Sequence, residues 1–218
     1  SGEPLAYITG SAEFYGYSFV TPRGVLIPRP ATESLIDLAL AQFPEAERQV
    51  RFLDLCCGSG CIGITLLLER KNARCVFADI SDTALAATRE NVLLHGVTDR
   101  AEVIYRDVFA PAVQLGVFDA VLCNPPYIKT EAISALDTSV KAYEPHTALD
   151  GGADGLDFYR FIAANWKNAL RPGGLLAFEC GFDQGTAVAE ILRGESYKDV
   201  TVKNDLSGIP RIVAGNSQ

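Results

Sequence analysis

The densest chemistry in the chain lies at Asn124-Pro125-Pro126-Tyr127. A proline ring locks φ and removes an N–H donor, and the residue before each proline is pushed away from helical backbone. The tetrapeptide is therefore a stiff loop that holds one amide side chain, Asn124, beside backbone carbonyls. Acceptors fixed in this way suit a planar –NH2 substituent. The chemistry expected is on an amide or amino nitrogen. The run Phe118-Asp119-Ala120-Val121-Leu122-Cys123 just before it reads as a buried strand, so the loop sits at a strand's C-terminal end, where two prolines stop the ladder.

A second constellation could supply the reaction partner. Asp54-Leu55-Cys56-Cys57-Gly58-Ser59-Gly60 reads as a glycine turn between a strand and a helix. Glycines let backbone approach a ligand, and the helix start presents free N–H groups. Asp79 ends the next strand about 20 residues on, where a carboxylate can accept both hydroxyls of a ribose. Taken singly these are a tight turn and a capping residue; together they favour binding of a nucleotide-like molecule. The Lys-Ser/Thr ending of a phosphate-binding loop is missing, which argues against ATP. Asp107 ends a third strand beside Val108. In a sheet of this kind the two would flank an adenine ring, and a solvated loop Asp is the alternative.

The elements that must position these residues alternate from residue 51 onward. Strands are expected over 51–55, 74–79, 101–106, 118–123 and 175–180, with a closing antiparallel pair over 198–203 and 211–214. Helices are expected over 60–70, 81–95, 156–170 and 185–192. Ser81 and Asp82 offer N-cap oxygens, and Gly96 closes that helix. Its inward positions are read as Leu85, Ala86, Val92 and Leu93. Pro172-Gly173-Gly174 is read as the stop after the 156–170 helix. Such alternation gives an α/β fold, a doubly wound and mostly parallel seven-stranded sheet, whose ligands collect at the C-terminal ends of the strands. Residues 1–45 differ. An aromatic hairpin over 13–21 turns at Gly16, Val25-Leu26-Ile27 reads as a second short strand, and Thr32 is expected to cap a helix to about residue 42. This segment is read as packing on the sheet domain, residues 46–218.

Composition limits the partners. The net charge of −8 argues against nucleic acid as a direct substrate, because phosphate contacts need clustered Lys and Arg. It suits a basic protein or a positively charged small molecule. Hydrophobic content of 48% and charged content of 21% are ordinary for a soluble globular domain. No apolar run approaches a membrane span. Of the six cysteines, Cys75, Cys123 and Cys180 read as small core residues, and the spacing of Cys56, Cys57 and Cys61 is not that of a zinc site. No metal and a reducing cytoplasm are expected. The chain begins at Ser1 and contains no methionine, which reads as an excised or processed fragment.

Asp54–Gly60, Asp79, Asp107 and Asn124–Tyr127 together resemble class I S-adenosylmethionine-dependent methyltransferases with an NPPY motif, of Rossmann-like fold. More narrowly, the chain resembles the HemK/PrmC group of protein N5-glutamine methyltransferases, which modify peptide chain release factors. Supporting segments are Gly2-Glu3-Pro4, Tyr7-Ile8-Thr9-Gly10, Glu13-Phe14-Tyr15-Gly16, Leu26-Ile27-Pro28-Arg29-Pro30, Tyr143-Glu144-Pro145-His146-Thr147-Ala148-Leu149-Asp150-Gly151-Gly152, Asp154-Gly155-Leu156 and Tyr159-Arg160. The resemblance implies a catalytic domain lacking the group's N-terminal helical domain. It implies that Asp54, Cys56, Cys57, Gly58, Ser59, Gly60, Asp79, Ile80, Asp107, Val108 and Asn124 contact S-adenosylmethionine, released as S-adenosylhomocysteine. It also implies that Asn124, Pro125, Pro126, Tyr127 and Arg29 hold the target glutamine, with Asn124, Pro125 and Tyr127 catalytic. Two positions depart from the group's pattern: Cys56 stands where Gly is frequent, and Ala31 where an acidic residue is usual. Cys at 56 is more familiar in sister enzymes that methylate a ribosomal protein, so the substrate is a release factor or a ribosomal protein.

The mechanism expected is an in-line displacement governed by alignment, with Asn124 Oδ1 and the Pro125 carbonyl accepting the two amide N–H bonds. Positioning of this kind supplies up to roughly 7–11 kcal/mol of barrier reduction. Tyr127 walls the site or is a core aromatic. Glu144 and His146 invite acid–base roles, although a lone loop histidine is more often a bystander. Arg29 steers the substrate or pairs with a carboxylate. The other readings are an N6-adenine nucleic-acid methyltransferase, which would need a groove for a flipped base, and a module that binds the cofactor without turnover.

Overall fold

The computed structural model describes residues 2–110, 115–205 and 207–218. Helix α1 (Leu5–Thr9) ends at Gly10 in left-handed backbone. Strands β1 (Ser11–Phe14) and β2 (Tyr17–Val20) then form an antiparallel hairpin. Its two turn residues, Tyr15 at φ 52 and Gly16 at φ 77, both have the positive φ that matches the twist of a two-residue hairpin. Phe14 and Phe19 are buried beneath it. The strand expected at Val25-Leu26-Ile27 does not form. Val25 is instead buried and its carbonyl accepts the Tyr7 hydroxyl at 2.7 Å, so this stretch is held by side-chain contacts rather than by a ladder.

Helix α2 (Glu33–Gln42) follows, then β3 (Arg51–Leu55), α3 (Cys61–Glu69), β4 (Arg74–Asp79), α4 (Asp82–Leu94), β5 (Ala101–Tyr105) and β6 (Phe118–Cys123). After the one-turn helix α5 (Thr138–Lys141) come α6 (Asp157–Asn165), β7 (Leu170–Glu179), α7 (Gly185–Gly194), β8 (Lys198–Asn204) and β9 (Pro210–Asn216). The sheet order is β5-β4-β3-β6-β7-β9-β8, with β5 to β7 parallel and β9 antiparallel to both its neighbours. All six residues of β6 are buried, as a central parallel strand covered on both faces requires. One face packs against α2, α3, α4 and the hairpin, and the other against α6 and α7. Trp166 and Tyr159 are the largest fully buried side chains of the second layer; each such burial contributes about 1.5–3 kcal/mol.

Two further expectations are corrected. The helix expected over 156–170 is shorter, because a 3-10 turn at Lys167–Ala169 brings Leu170 into register with Phe118. Pro172-Gly173-Gly174 therefore lies inside β7 as an irregularity in the pairing, where Gly173 adopts φ 75 and Gly174 N–H donates to Ser217 Oγ at 3.1 Å. Along α4, Leu85 and Val92 face inward, but Ala86 and Leu93 are exposed. Thr88 and Asn91 take inward positions instead. The reason is polar: both bond the loop after β3.

Candidate active site

Leu55 of β3 pairs with Cys123 of β6, so the loops that follow them leave the sheet at one level. This is the reversal point of the strand order, where the crevice of a doubly wound sheet lies. A cavity of about 490 Å³ opens there, walled by Cys56 to Ser59, Asp79 with Ile80, Asp107 with Val108, and Asn124 with Pro126. Arg29 reaches it from the segment before α2, and His146 from the loop after α5.

The glycine loop is built from below. Asp54 is fully buried and does not line the cavity; its Oδ2 accepts Gly63 N–H at 2.9 Å, tying strand to helix. Burial pushes its carboxyl well above the usual carboxylate range. Gly60 turns the chain into α3 at φ 78, and a Cβ there would lie 2.9 Å from the Thr88 methyl. Thr88 Oγ1 donates to Gly58 O at 2.9 Å, and Asn91 Nδ2 donates to Ser59 O at 2.9 Å. Cys56 is held at φ 56 without being glycine. That left-handed backbone is one that glycine adopts most readily. Cys61 is buried, and its thiol is pushed up to about 12.

Asp79 receives Gly58 N–H on Oδ2 at 3.0 Å and Ser81 N–H on Oδ1 at 2.9 Å. Burial raises its carboxyl, and those backbone donors oppose the shift. Ser81 caps α4 by accepting Ala84 N–H at 3.2 Å. Asp107 accepts Phe109 N–H at 2.9 Å, and the Val108 carbonyl is held by the Trp166 indole N–H at 2.9 Å. Phe109 packs on Phe158 at 4.7 Å between ring centroids, which gives this end of the cavity an aromatic wall.

Asn124 lies on the cavity wall, with Nδ2 directed at Thr32 Oγ1, 3.3 Å away. Thr32 precedes α2 but makes no capping bond, contrary to expectation; its hydroxyl donates to Glu179 Oε2. Pro125 and Tyr127 lie just off the wall. Tyr127 is half-buried against the α6–α7 layer, its phenol pushed up to about 12 by burial. Its carbonyl accepts Gln184 Nε2 at 2.9 Å, and that side chain also reaches Gly155 O at 3.2 Å and accepts Gly181 N–H at 2.9 Å. The segment after α5 presses on the same loop. Ile128 N–H donates to Leu149 O at 2.9 Å and Gly151 N–H to Ile128 O at 2.8 Å. A Cβ on Gly151 would lie 2.7 Å from Tyr127 Cα.

Arg29 pairs with Glu144, whose side chain is almost completely buried. Burial raises the Glu144 carboxyl and Arg29 opposes the shift. Glu144 does not line the cavity, so it braces the cavity wall at Arg29 from behind. His146 is exposed, 3.9 Å from Asp150. Thr88, Asn91, Gln184 and Glu179 were missed in the sequence because polar residues on buried faces break the apolar pattern that marks an element, and Thr32 was read only as a cap.

The residues fit an adenosyl sulfonium. Asp79 offers a carboxylate at the distance along the chain that a ribose requires, and apolar side chains of Ile80, Val108 and Phe109 wall the adjoining space. No atom lies within 4 Å of the place a Cβ would occupy at Gly58, so that face of the loop admits a ligand. Asp54 Oδ1, beneath the loop, is buried without a hydrogen-bond partner among the described residues.

Fold and cavity together define a Rossmann-like methyltransferase that draws its methyl group from S-adenosylmethionine. The methyltransferase small domain family matches residues 31–142. The chain is 40% identical over 211 residues to the release factor glutamine methyltransferase of Clostridium botulinum, covering 96% of this chain and 74% of that protein. It is 42% identical over 212 residues to the protein of the same name from Cereibacter sphaeroides, covering 97% and 74%. The structure of a release factor-specific protein-(glutamine-N5) methyltransferase from Alicyclobacillus acidocaldarius superposes with a TM-score of 0.53 at 26% identity, covering 88% of this chain and 94% of that one. The hMettl16 catalytic domain, solved with an RNA hairpin, gives a TM-score of 0.75 at 18% identity, covering 94% and 77%; this likeness is one of fold alone. The chain belongs to the release factor glutamine methyltransferase family.

Proposed function

We propose that this protein transfers a methyl group from S-adenosylmethionine to the side-chain amide nitrogen of a glutamine in a peptide chain release factor, in the cytoplasm where such factors act. The observation that carries the reading is the register of β3 and β6, which brings the glycine loop and Asn124 to one cavity at one level. S-adenosylmethionine supplies an electrophilic methyl group on a sulfonium. Cys56 to Ser59 and the Asp79 carboxylate bind its nucleoside end, and Val108 and Phe109 wall the base. Asn124 Oδ1 and the Pro125 carbonyl accept the N–H bonds of the target amide and orient its nitrogen. An amide nitrogen is a weak nucleophile, and positive charge grows on it during transfer; fixed acceptors stabilise that charge. No side chain has to remove a proton beforehand, since the proton becomes acidic only after methylation. Arg29, braced by Glu144, lies on the substrate side.

The test is methyl transfer by the purified protein to a release factor, a ribosomal protein and an adenine-containing oligonucleotide, with mass spectrometry locating the product. Methylation of one release-factor glutamine is expected. Transfer to ribosomal protein or oligonucleotide in its place would overturn the substrate assignment.

A further inference from the structure

We propose that Glu179 and Thr32 are positioning residues that fix which way round the Asn124 amide faces the target. The two ends of an asparagine amide have the same shape and opposite hydrogen-bonding character. A glutamine –NH2 can be held only if Oδ1, not Nδ2, points at it, so something must hold Nδ2 on the other side. Strand register places the holder. Cys123 pairs with Phe178, which puts Asn124 and Glu179 side by side at the ends of β6 and β7. Glu179 is buried, with only 1% of its surface exposed. Burial raises its carboxyl, and the Thr32 hydroxyl, the guanidinium groups of Arg211 and Arg29 and the Asn124 amide oppose the shift.

The Thr32 hydroxyl donates to Glu179 Oε2, which commits its single proton there. Towards Asn124, Thr32 Oγ1 then has only a lone pair to offer. Asn124 must answer with Nδ2, at 3.3 Å, and Oδ1 is turned to the other side. The direction of each bond in the chain Glu179–Thr32–Asn124 follows from where the Thr32 proton goes, and the Asn124 amide also bonds Glu179 directly, which holds Nδ2 on the same side. This relay rests on the glutamine reading given above and adds two residues to it, neither of which needs to touch the reacting atoms.

The experiment compares Thr32→Val, Thr32→Ser and Glu179→Gln with wild type. It uses the release factor and the same factor carrying glutamate at the target position, and calorimetry gives the affinity for S-adenosylhomocysteine. Removing the relay lets the amide turn over, so kcat should fall about tenfold or more in Thr32→Val and Glu179→Gln, as expected when a reacting group is misoriented. The KM for release factor and the affinity for S-adenosylhomocysteine should stay near wild type. Thr32→Ser, which keeps the hydroxyl, should recover most of the loss seen with Val. In Glu179→Gln the amide introduced can donate to Thr32 and reverse the chain of bonds, so Nδ2 would face the target. Preference for the glutamine-bearing over the glutamate-bearing factor should then fall, a change that a purely structural role would not produce. A kcat preserved in both variants overturns the relay while leaving the function standing. Loss of turnover only in step with loss of S-adenosylhomocysteine affinity overturns it as well. A wild-type protein silent on release factor overturns the glutamine reading, and the relay with it. If Glu179→Gln proves unfolded, Thr32→Val, which keeps the shape of the side chain, decides.

Discussion

Replacing Gly151 by alanine tests whether the acceptor loop is held in place by close backbone contact. A Cβ at this position would sit 2.7 Å from Tyr127 Cα, 2.8 Å from Pro126 O and 2.9 Å from Tyr127 C. All three are backbone atoms, so no side chain can swing aside. Ordinary contact begins at 3.4 Å, and the shortfall of about 0.7 Å must be met by moving one of the two segments. The Gly151 side is tied through Gly151 N–H to Ile128 O and Asp157 N–H to Gly151 O. The loop side is tied through Tyr127 O to Gln184. Either movement displaces Pro126 and Tyr127 relative to the cofactor loop, which has its own anchors. A displacement near 1 Å in an aligned reaction costs about 100-fold, or about 2.7 kcal/mol in the barrier. Overpacking should also lower folding stability by about 1–3 kcal/mol. The assay is methyl transfer to release factor together with calorimetric binding of S-adenosylhomocysteine. Turnover should collapse while cofactor affinity holds. Gly194→Ala is the control: nothing lies within 4 Å of its Cβ position, and it is exposed at the end of α7. It should leave kinetics unchanged. Near-wild-type turnover in Gly151→Ala would refute the argument, because the loop would then owe its position to something other than this contact.

The other predictions concern single side chains. Asn124→Ala should reduce transfer by at least about 100-fold, as loss of one oriented hydrogen-bonding group does, with S-adenosylhomocysteine binding nearly intact; lost cofactor affinity with turnover preserved would reverse the assignment. Asp79→Asn replaces an anionic acceptor that receives Gly58 and Ser81 N–H groups, and cofactor affinity should weaken by about 1.5–3 kcal/mol in calorimetry; unchanged affinity would remove Asp79 from the nucleoside site. Asp54→Asn should flatten the pH dependence of stability. Burial raises the Asp54 carboxyl, so the folded protein keeps a proton that the unfolded chain has released. Its stabilising effect is therefore complete below the ordinary carboxylate range and is lost as pH rises through the raised value. Urea unfolding of variant and wild type across that window should show the wild type falling more steeply, and parallel curves would refute the sign.

The parts of the site set by backbone geometry were legible in the sequence. Double proline after an apolar run, glycines between strand and helix, and Asp79 at the next strand's end each report a local conformation directly. The two loops were then bound to meet, because a doubly wound sheet brings its strand ends together. What was not legible comes from contacts between distant segments. Thr32 looked like a helix cap, since hydroxyls before helices usually are; only Glu179, 147 positions away, shows where its proton goes. Ala86 and Leu93 looked inward by apolar character, yet Thr88 and Asn91 took those places because Gly58 and Ser59 carbonyls needed donors. Pro172-Gly173-Gly174 looked like a stop but is an irregularity within β7, since Leu170 already pairs with Phe118.

These misses share a cause that bears on the chemistry. The alignment-controlled transfer proposed above uses no general base. It needs each loop fixed independently of its ligand. The cofactor loop is fixed by Asp54 from below and by Thr88 and Asn91 from α4. The acceptor loop is fixed by Gln184, by the approach of Gly151, and by Thr32. Buried polar groups are costly unless fully bonded, and when bonded they specify one arrangement. Apolar packing alone would hold both loops near the cavity but would leave the Asn124 amide free to turn either way. On the function proposed above, the polar residues that spoil the hydrophobic pattern are thus the ones that convert two neighbouring loops into a site able to hold a particular nitrogen.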